Sequence, residues 1–134
     1  MPNISQTLQK NLLDWTLGGA SPTRNAVPPW CGLSLGAPTS ISNSEIGTGS
    51  NYFRSVMSFG AAGTPSGSGT ATNISNVSFG TFATAQSISG VFINDSVSSG
   101  AGVYLYYGLL AAARTVSSGD SLVIASGALT VTLS

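Results

Sequence analysis

The sequence predicts a mainly β domain, an antiparallel β-sandwich or jelly roll carrying one N-terminal α-helix. Residues 3–17 alone follow a helical apolar period. From Trp30 onward, short apolar segments alternate with clusters of Gly, Ser, Thr and Asn. Charged residues make up only 6% of the 134, against about 25% in ordinary soluble domains, so the polar half of the chain is hydroxyl and amide rather than ionic. A chain of this length buries roughly two thirds of its unfolded surface, enough for a core without covalent staples.

Taken in order, the helix comes first. Asn3 is a capping residue with Gln6 as its reciprocal partner. Ile4, Leu8, Leu12 and Trp15 fall on one helical stripe, which Leu13 and Leu17 widen. Gly18-Gly19 supplies a left-handed stop, and Pro22, Pro28 and Pro29 prevent continuation. The expected organisation is a helix over 1–19, a candidate assembly arm, then a linker over 20–29 and a β-sandwich over 30–134. Within the sandwich, strands are expected at Trp30–Leu35, Asn51–Phe59 (with Val56 and Phe59 in the core) and Asn73–Phe79. Further strands are expected at Ser87–Ile93, Val103–Leu110, Ser121–Ala125 and Leu129–Leu133, the last with a strict period of two. Gly60–Gly69 and Ser96–Gly102 read as flexible loops.

The charges are few and scattered: Lys10, Arg24, Arg54 and Arg114 against Asp14, Glu45, Asp95 and Asp120, with net charge zero and no histidine. Near-zero charge promotes association, so much of the surface is expected to be covered in the working state. Nucleic acid is not an expected partner, because phosphate neutralisation needs clustered Lys and Arg. A membrane is not one either: there is no basic face, and the apolar stretch over 101–113 is too short for a spanning helix. The N-terminal residues lack the basic head and apolar run of a signal peptide, which predicts synthesis in a cytoplasm.

Catalysis is not expected, and neither a cofactor nor a metal. A Ser-His-Asp triad requires the missing histidine. A Ser–Lys dyad has only Lys10, on the polar side of the helix. No two of the acids lie at a spacing that pairs carboxylates for glycoside cleavage. Cys31, the single cysteine, reads as a small buried hydrophobe. The Gly-Thr-Gly at 47–49 and Gly-Ser-Gly at 67–69 lack the rest of a phosphate loop. Candidate interface residues remain: Leu8, Leu12 and Trp15 on the helix, and Tyr104 and Tyr106, which alternation places on one strand face with Tyr107 on the other. Arg114 and Asp120 flank a turn containing Gly119 and are a candidate turn-fixing ion pair.

In order along the chain, these features resemble a family of small virion proteins of tailed bacteriophages, described as capsid cement (decoration) or tail-fibre-like proteins. The resemblance runs through Leu12-Leu-Asp-Trp-Thr-Leu-Gly-Gly19, Leu33-Ser-Leu35, Tyr52-Phe-Arg54 with Val56 and Phe59, Phe92-Ile-Asn-Asp95 and Tyr107-Gly-Leu-Leu110. It closes with Arg114-Thr-Val-Ser-Ser-Gly-Asp-Ser-Leu122 and Gly127-Ala-Leu-Thr-Val131. The chain departs from the family at Pro28-Pro29-Trp30-Cys31. The resemblance implies a non-enzymatic structural role in many copies on the virion. Of its two branches the chain suits a capsid cement protein on the head surface, bound to the major capsid protein and to itself as a trimer or dimer. A tail-fibre or tail-tip structural or carbohydrate-binding module using the Tyr104–Tyr107 strand is the alternative.

Overall fold

The computed structural model describes residues 3–18, 28–61 and 69–133. The central element is a five-stranded antiparallel sheet. Its strands are β1 (Asn3–Ile4), β2 (Trp30–Ser34), β3 (Ser55–Val56), β6 (Gln86–Asn94) and β7 (Tyr104–Val116), in the order β1-β7-β6-β2-β3. Two antiparallel ribbons complete the sandwich: β4 (Gly69–Thr72) with β9 (Thr130–Leu133), and β5 (Val77–Thr81) with β8 (Ser121–Ile124). The expected class is thus observed, a mainly β sandwich with one helix.

One core joins sheet and ribbons. Cys31, Leu33, Val91, Ile93 and Leu105 from the sheet meet Val77, Phe79 and Val131 from the ribbons, with Tyr52, Met57 and Phe82 between them. The period of two that makes a half-buried strand is visible in β5, where Val77 and Phe79 are buried and Ser78 and Gly80 exposed. The sheet's other face is also covered. Phe92 is wholly buried there, its ring lying over Gly32 on the paired strand, where an added Cβ would stand 2.0 Å from the ring's Cζ. Pro38 covers Gly90 in the same way.

Helix α1 (Gln6–Thr16) is capped by Ser5, not Asn3. Asn3 and Ile4 are drawn into extended pairing with Tyr107 and Tyr106, so the cap moves to the first residue free of the sheet. The Ser5 hydroxyl accepts from the Leu8 N–H at 3.2 Å and donates to the Tyr104 carbonyl. At the far end Gly18, with φ +76°, gives the expected left-handed stop. Gly19 and most of the Pro-containing connection lie outside the described residues, as do residues 62–68 of the Gly/Ser loop.

Two expected strands are corrected. The segment 51–59 is extended only at Ser55–Val56, preceded by a 3-10 turn at Thr48–Ser50. Val56 sits on the sheet edge, 47% exposed, while Phe59 packs against the core as expected. The segment 73–79 is broken because Asn73 spends its side chain on a corner. Its Nδ2 donates to the Ser75 and Ala125 carbonyls, each at 2.9 Å, and its Oδ1 accepts from the Leu129 N–H at 2.8 Å. These bonds tie the β4–β5 corner to the β8–β9 turn, and a residue that caps a turn cannot also continue a ladder.

Candidate functional site

The charges that sequence scatters are partly gathered by folding. Glu45 follows β2 on a returning loop and bridges back to Ser34. Arg54 enters from the segment before β3 and is 4% exposed. Its Nε donates to Glu45 Oε1 at 2.7 Å and its Nη2 to Oε2 at 2.8 Å, while Nη1 donates to the carbonyls of Ser96 at 2.8 Å and Ala101 at 3.0 Å. The guanidinium also stands 5.3 Å from the centroid of the Phe92 ring, a favourable cation–π placement. Tyr52 adds a hydroxyl bond to Glu45 and accepts from the Leu33 N–H at 2.9 Å. The loop 96–102, expected to be flexible, is therefore fastened from inside by Arg54, and from its ends by Asp95, whose carboxylate accepts from the Val103 N–H.

Burial alone would raise the Glu45 pKa, but hydrogen bonds and charge from Arg54, then bonds from Ser99 and Tyr52, outweigh it and hold the carboxyl below its ordinary value. Burial pushes the Tyr52 phenol up, and likewise Tyr104, where the neighbouring Tyr107 adds to the effect. The Cys31 thiol is pushed up to about 12 by burial. A thiol held protonated is a poor nucleophile. Among the described residues no group of His, Cys, Asp and Glu is placed to hold a metal ion, and no helix is long and apolar enough to cross a membrane.

The candidate interface residues separate. Leu8 is half-buried against the core and, with Tyr106, Pro29, Met57 and Phe59, lines an apolar cleft of about 660 Å³. Leu12 is half-buried. Trp15 is 60% exposed, and Leu13 and Leu17 are exposed with it. Tyr104 and Tyr106 do not share a face. A register shift places Tyr104 opposite Asn94 and Tyr106 opposite Ile93, leaving Leu105 as the extra residue. A bulge of one residue reverses the alternation beyond it. Tyr104 thus stacks on Tyr107, with ring centroids 5.7 Å apart, and meets Phe92 edge-on, while Tyr106 packs on the core side.

Tyr104 instead borders a polar pocket of about 260 Å³ with Ile41, Ser42, Asn43, Arg54, Asn94 and the Gly100–Gly102 turn. Its hydroxyl donates to the Thr39 carbonyl at 2.9 Å. Arg54 was not legible as a site residue, because the Ser96 and Ala101 carbonyls that it binds lie far along the chain. Arg114 and Asp120 are both exposed at the β7–β8 turn. The bonds that shape this turn run through the backbone: Gly119 at φ +90°, its N–H donating to the Phe82 carbonyl at 2.8 Å, and the Phe82 N–H to the Asp120 carbonyl at 2.9 Å. The ion pairs among the described residues are Lys10–Asp14, on the exposed side of the helix, and Arg54–Glu45.

With the sandwich, its single helix and its polar cluster in place, the comparison with family models is decisive. Residues 3–132 match the family described as podophage GP4 fiber I protein gp80. The chain belongs to this family. The match runs through the helix, the sheet and both ribbons. It makes the protein a structural component of a tailed-phage virion, of the fibre-like kind. Comparison with curated proteins gives no match.

Proposed function

We propose that the protein is a fibre-associated structural subunit of a short-tailed bacteriophage, acting by assembly and not by catalysis. The observation that carries this is the family match over residues 3–132, to a family described by a fibre protein. The capsid-cement role expected from the sequence gains no support from that match, and the fibre alternative takes its place. Two features of the surface support assembly with other copies or with a neighbouring virion protein. The polar surface has almost no charge, so bringing it against a partner desolvates few ions. The helix end presents Leu13, Trp15 and Leu17 to solvent, side chains each worth about 1.5–3 kcal/mol on full burial.

Separation of purified virions into head and tail fractions, with quantitative mass spectrometry of each, tests the placement. Gold-labelled antibody on intact particles gives a second reading. The protein is expected in the tail fraction, with label on or beside the fibres. Recovery with heads, and label spread over the capsid, would restore the cement role and overturn the fibre reading.

A further inference from the structure

The two outer edges of the five-stranded sheet are unlike. On one side β3 is only Ser55–Val56, and a very short edge strand is one way that proteins avoid unwanted pairing. On the other side β7 runs for 13 residues, but β1 covers it only at Tyr106 and Tyr107. From Gly108 to Val116 no strand among the described residues pairs the outer side of β7. The side chains are open as well. Leu109 is 65% exposed, and Ala111, Ala112, Ala113, Arg114 and Thr115 are exposed in succession. A strand lying on a core alternates between buried and exposed. The stretch 111–115 does not, so neither of its faces is covered.

The ladder on the inner side is loosened here too. It steps from Leu109 opposite Gly90 to Arg114 opposite Ile88, so residues 110–113 stand opposite Ser89 alone. Ser89 has one N–H and one C=O to offer, too few for that backbone, and bulged residues are left partly unpaired. Bulges often blunt an edge. This one leaves it open: Leu110 packs against the core, and the alanines after it stay exposed. Arg114 is the only charge between 108 and 116, so charge does little to guard the edge. We propose that this edge pairs antiparallel with the same edge of a second copy, about a two-fold axis at Ala112. In that register Ala112 meets its own copy, Ala111 meets Ala113 and Leu109 meets Thr115. The two Arg114 side chains stand about 13 Å apart along the strands, beyond the Debye length of ~8 Å at physiological salt, so the like charges do not oppose the pairing. A strand of ~30 Å and a layer ~10 Å thick bury roughly 300 Å² per copy, against about 800 Å² in a stable interface. Isolated copies therefore pair weakly, and copies held side by side in an assembly pair firmly. This rests on the reading of the protein as an assembling subunit. It is tested on purified protein and the fibre placement on virions, so either can fail alone.

The test is disulfide trapping of the full chain, whose single natural cysteine, Cys31, is buried. Residues directly opposite in an antiparallel pair have Cα atoms about 4.5–5.5 Å apart, within disulfide reach. Under mild oxidation Ala112→Cys is therefore expected to cross-link to its own copy about tenfold faster than Thr115→Cys, or more, because two Thr115 positions would lie about 20 Å apart along the strands. In a mixture, Leu109→Cys and Thr115→Cys should cross-link to each other faster than either does to itself. Adding Ala112→Lys to both should abolish that cross-link, since two ammonium groups would meet at the axis. Adding Trp15→Ser should leave it intact, which separates this edge from the helix end. If Ala112→Cys traps no faster than Thr115→Cys, or if trapping requires Trp15, the proposal is wrong. The Leu109→Cys and Thr115→Cys mixture decides even if Ala112→Cys does not fold, and absence of the mixed cross-link would then overturn the pairing.

Discussion

Arg54 and Glu45 meet through two parallel hydrogen bonds, at 2.7 and 2.8 Å, with side chains only 1% and 8% exposed. This pair joins three stretches of chain: the loop after β2, the segment before β3 and the 96–102 turn. Removing one member leaves the other charged and buried, which costs about 3–5 kcal/mol. Arg54→Met is expected to lower unfolding free energy by that order in a urea titration, and to raise hydrogen exchange at Val103, Ser96 and Ala101. A loss under about 1 kcal/mol would mean that water replaces the pair at little cost.

The same pair sets an acid limit. The Glu45 carboxyl is held below its ordinary value, so its contribution is complete above the unfolded carboxylate pKa of about 4.3 and is lost as pH falls through the lower folded value. Parent protein should therefore lose stability in that acid window more steeply than Glu45→Gln, which starts lower and has no carboxyl there to protonate. Urea midpoints taken from neutral pH into the acid range for both proteins measure this. Parallel curves would show that other acids govern the transition.

Gly32 is required by the ring above it. A Cβ at this position would stand 2.0 Å from Phe92 Cζ, far inside contact distance and against a ring that is wholly buried. Gly32→Ala is expected to destabilise by about 1–3 kcal/mol through overpacking. Phe92→Leu should itself destabilise, yet the double variant should be better than the sum, with a coupling of about 0.5–3 kcal/mol in a thermal-unfolding cycle. Simple additivity would show that the ring moves aside freely.

The helix should divide into a folding end and an assembly end. Ser5 is wholly buried and caps the first turn, so Ser5→Ala should cost about 0.5–2 kcal/mol. Leu8→Ala, in the half-buried position against the core, should cost up to about 2–5 kcal/mol. Trp15→Ser alters a side chain that is 60% exposed and should change monomer stability by no more than about 0.5 kcal/mol while weakening self-association in sedimentation. A Trp15→Ser protein that unfolds instead would place the whole helix within the fold.

Cys31 is wholly buried, with a thiol pushed up to about 12. In native protein at pH 8 an aromatic disulfide reagent should therefore react only as fast as the protein opens, and at once in denaturant. Rapid stoichiometric labelling of the folded protein would contradict the buried position.

The sequence alone determined the class: a helix ended at Gly18, alternating strands, a chain poor in charge, and the virion family. These are carried by neighbours within a few residues, where period and turn chemistry act. The β5 pattern and the end of the helix are legible for that reason. Tertiary structure alone decided which side of a strand a residue faces and which polar groups meet. One bulge residue, Leu105, turned Tyr104 onto the face opposite Tyr106, and alternation cannot reveal an inserted residue in advance. Asn73 became a corner and not a strand because its side-chain partners, the Ala125 carbonyl and the Leu129 N–H, arrive from the other end of the chain. The Arg54–Glu45 pair exists only where separate loops converge. Burial then makes each contact matter, since an unpaired polar group is tolerated in water and costly inside the fold.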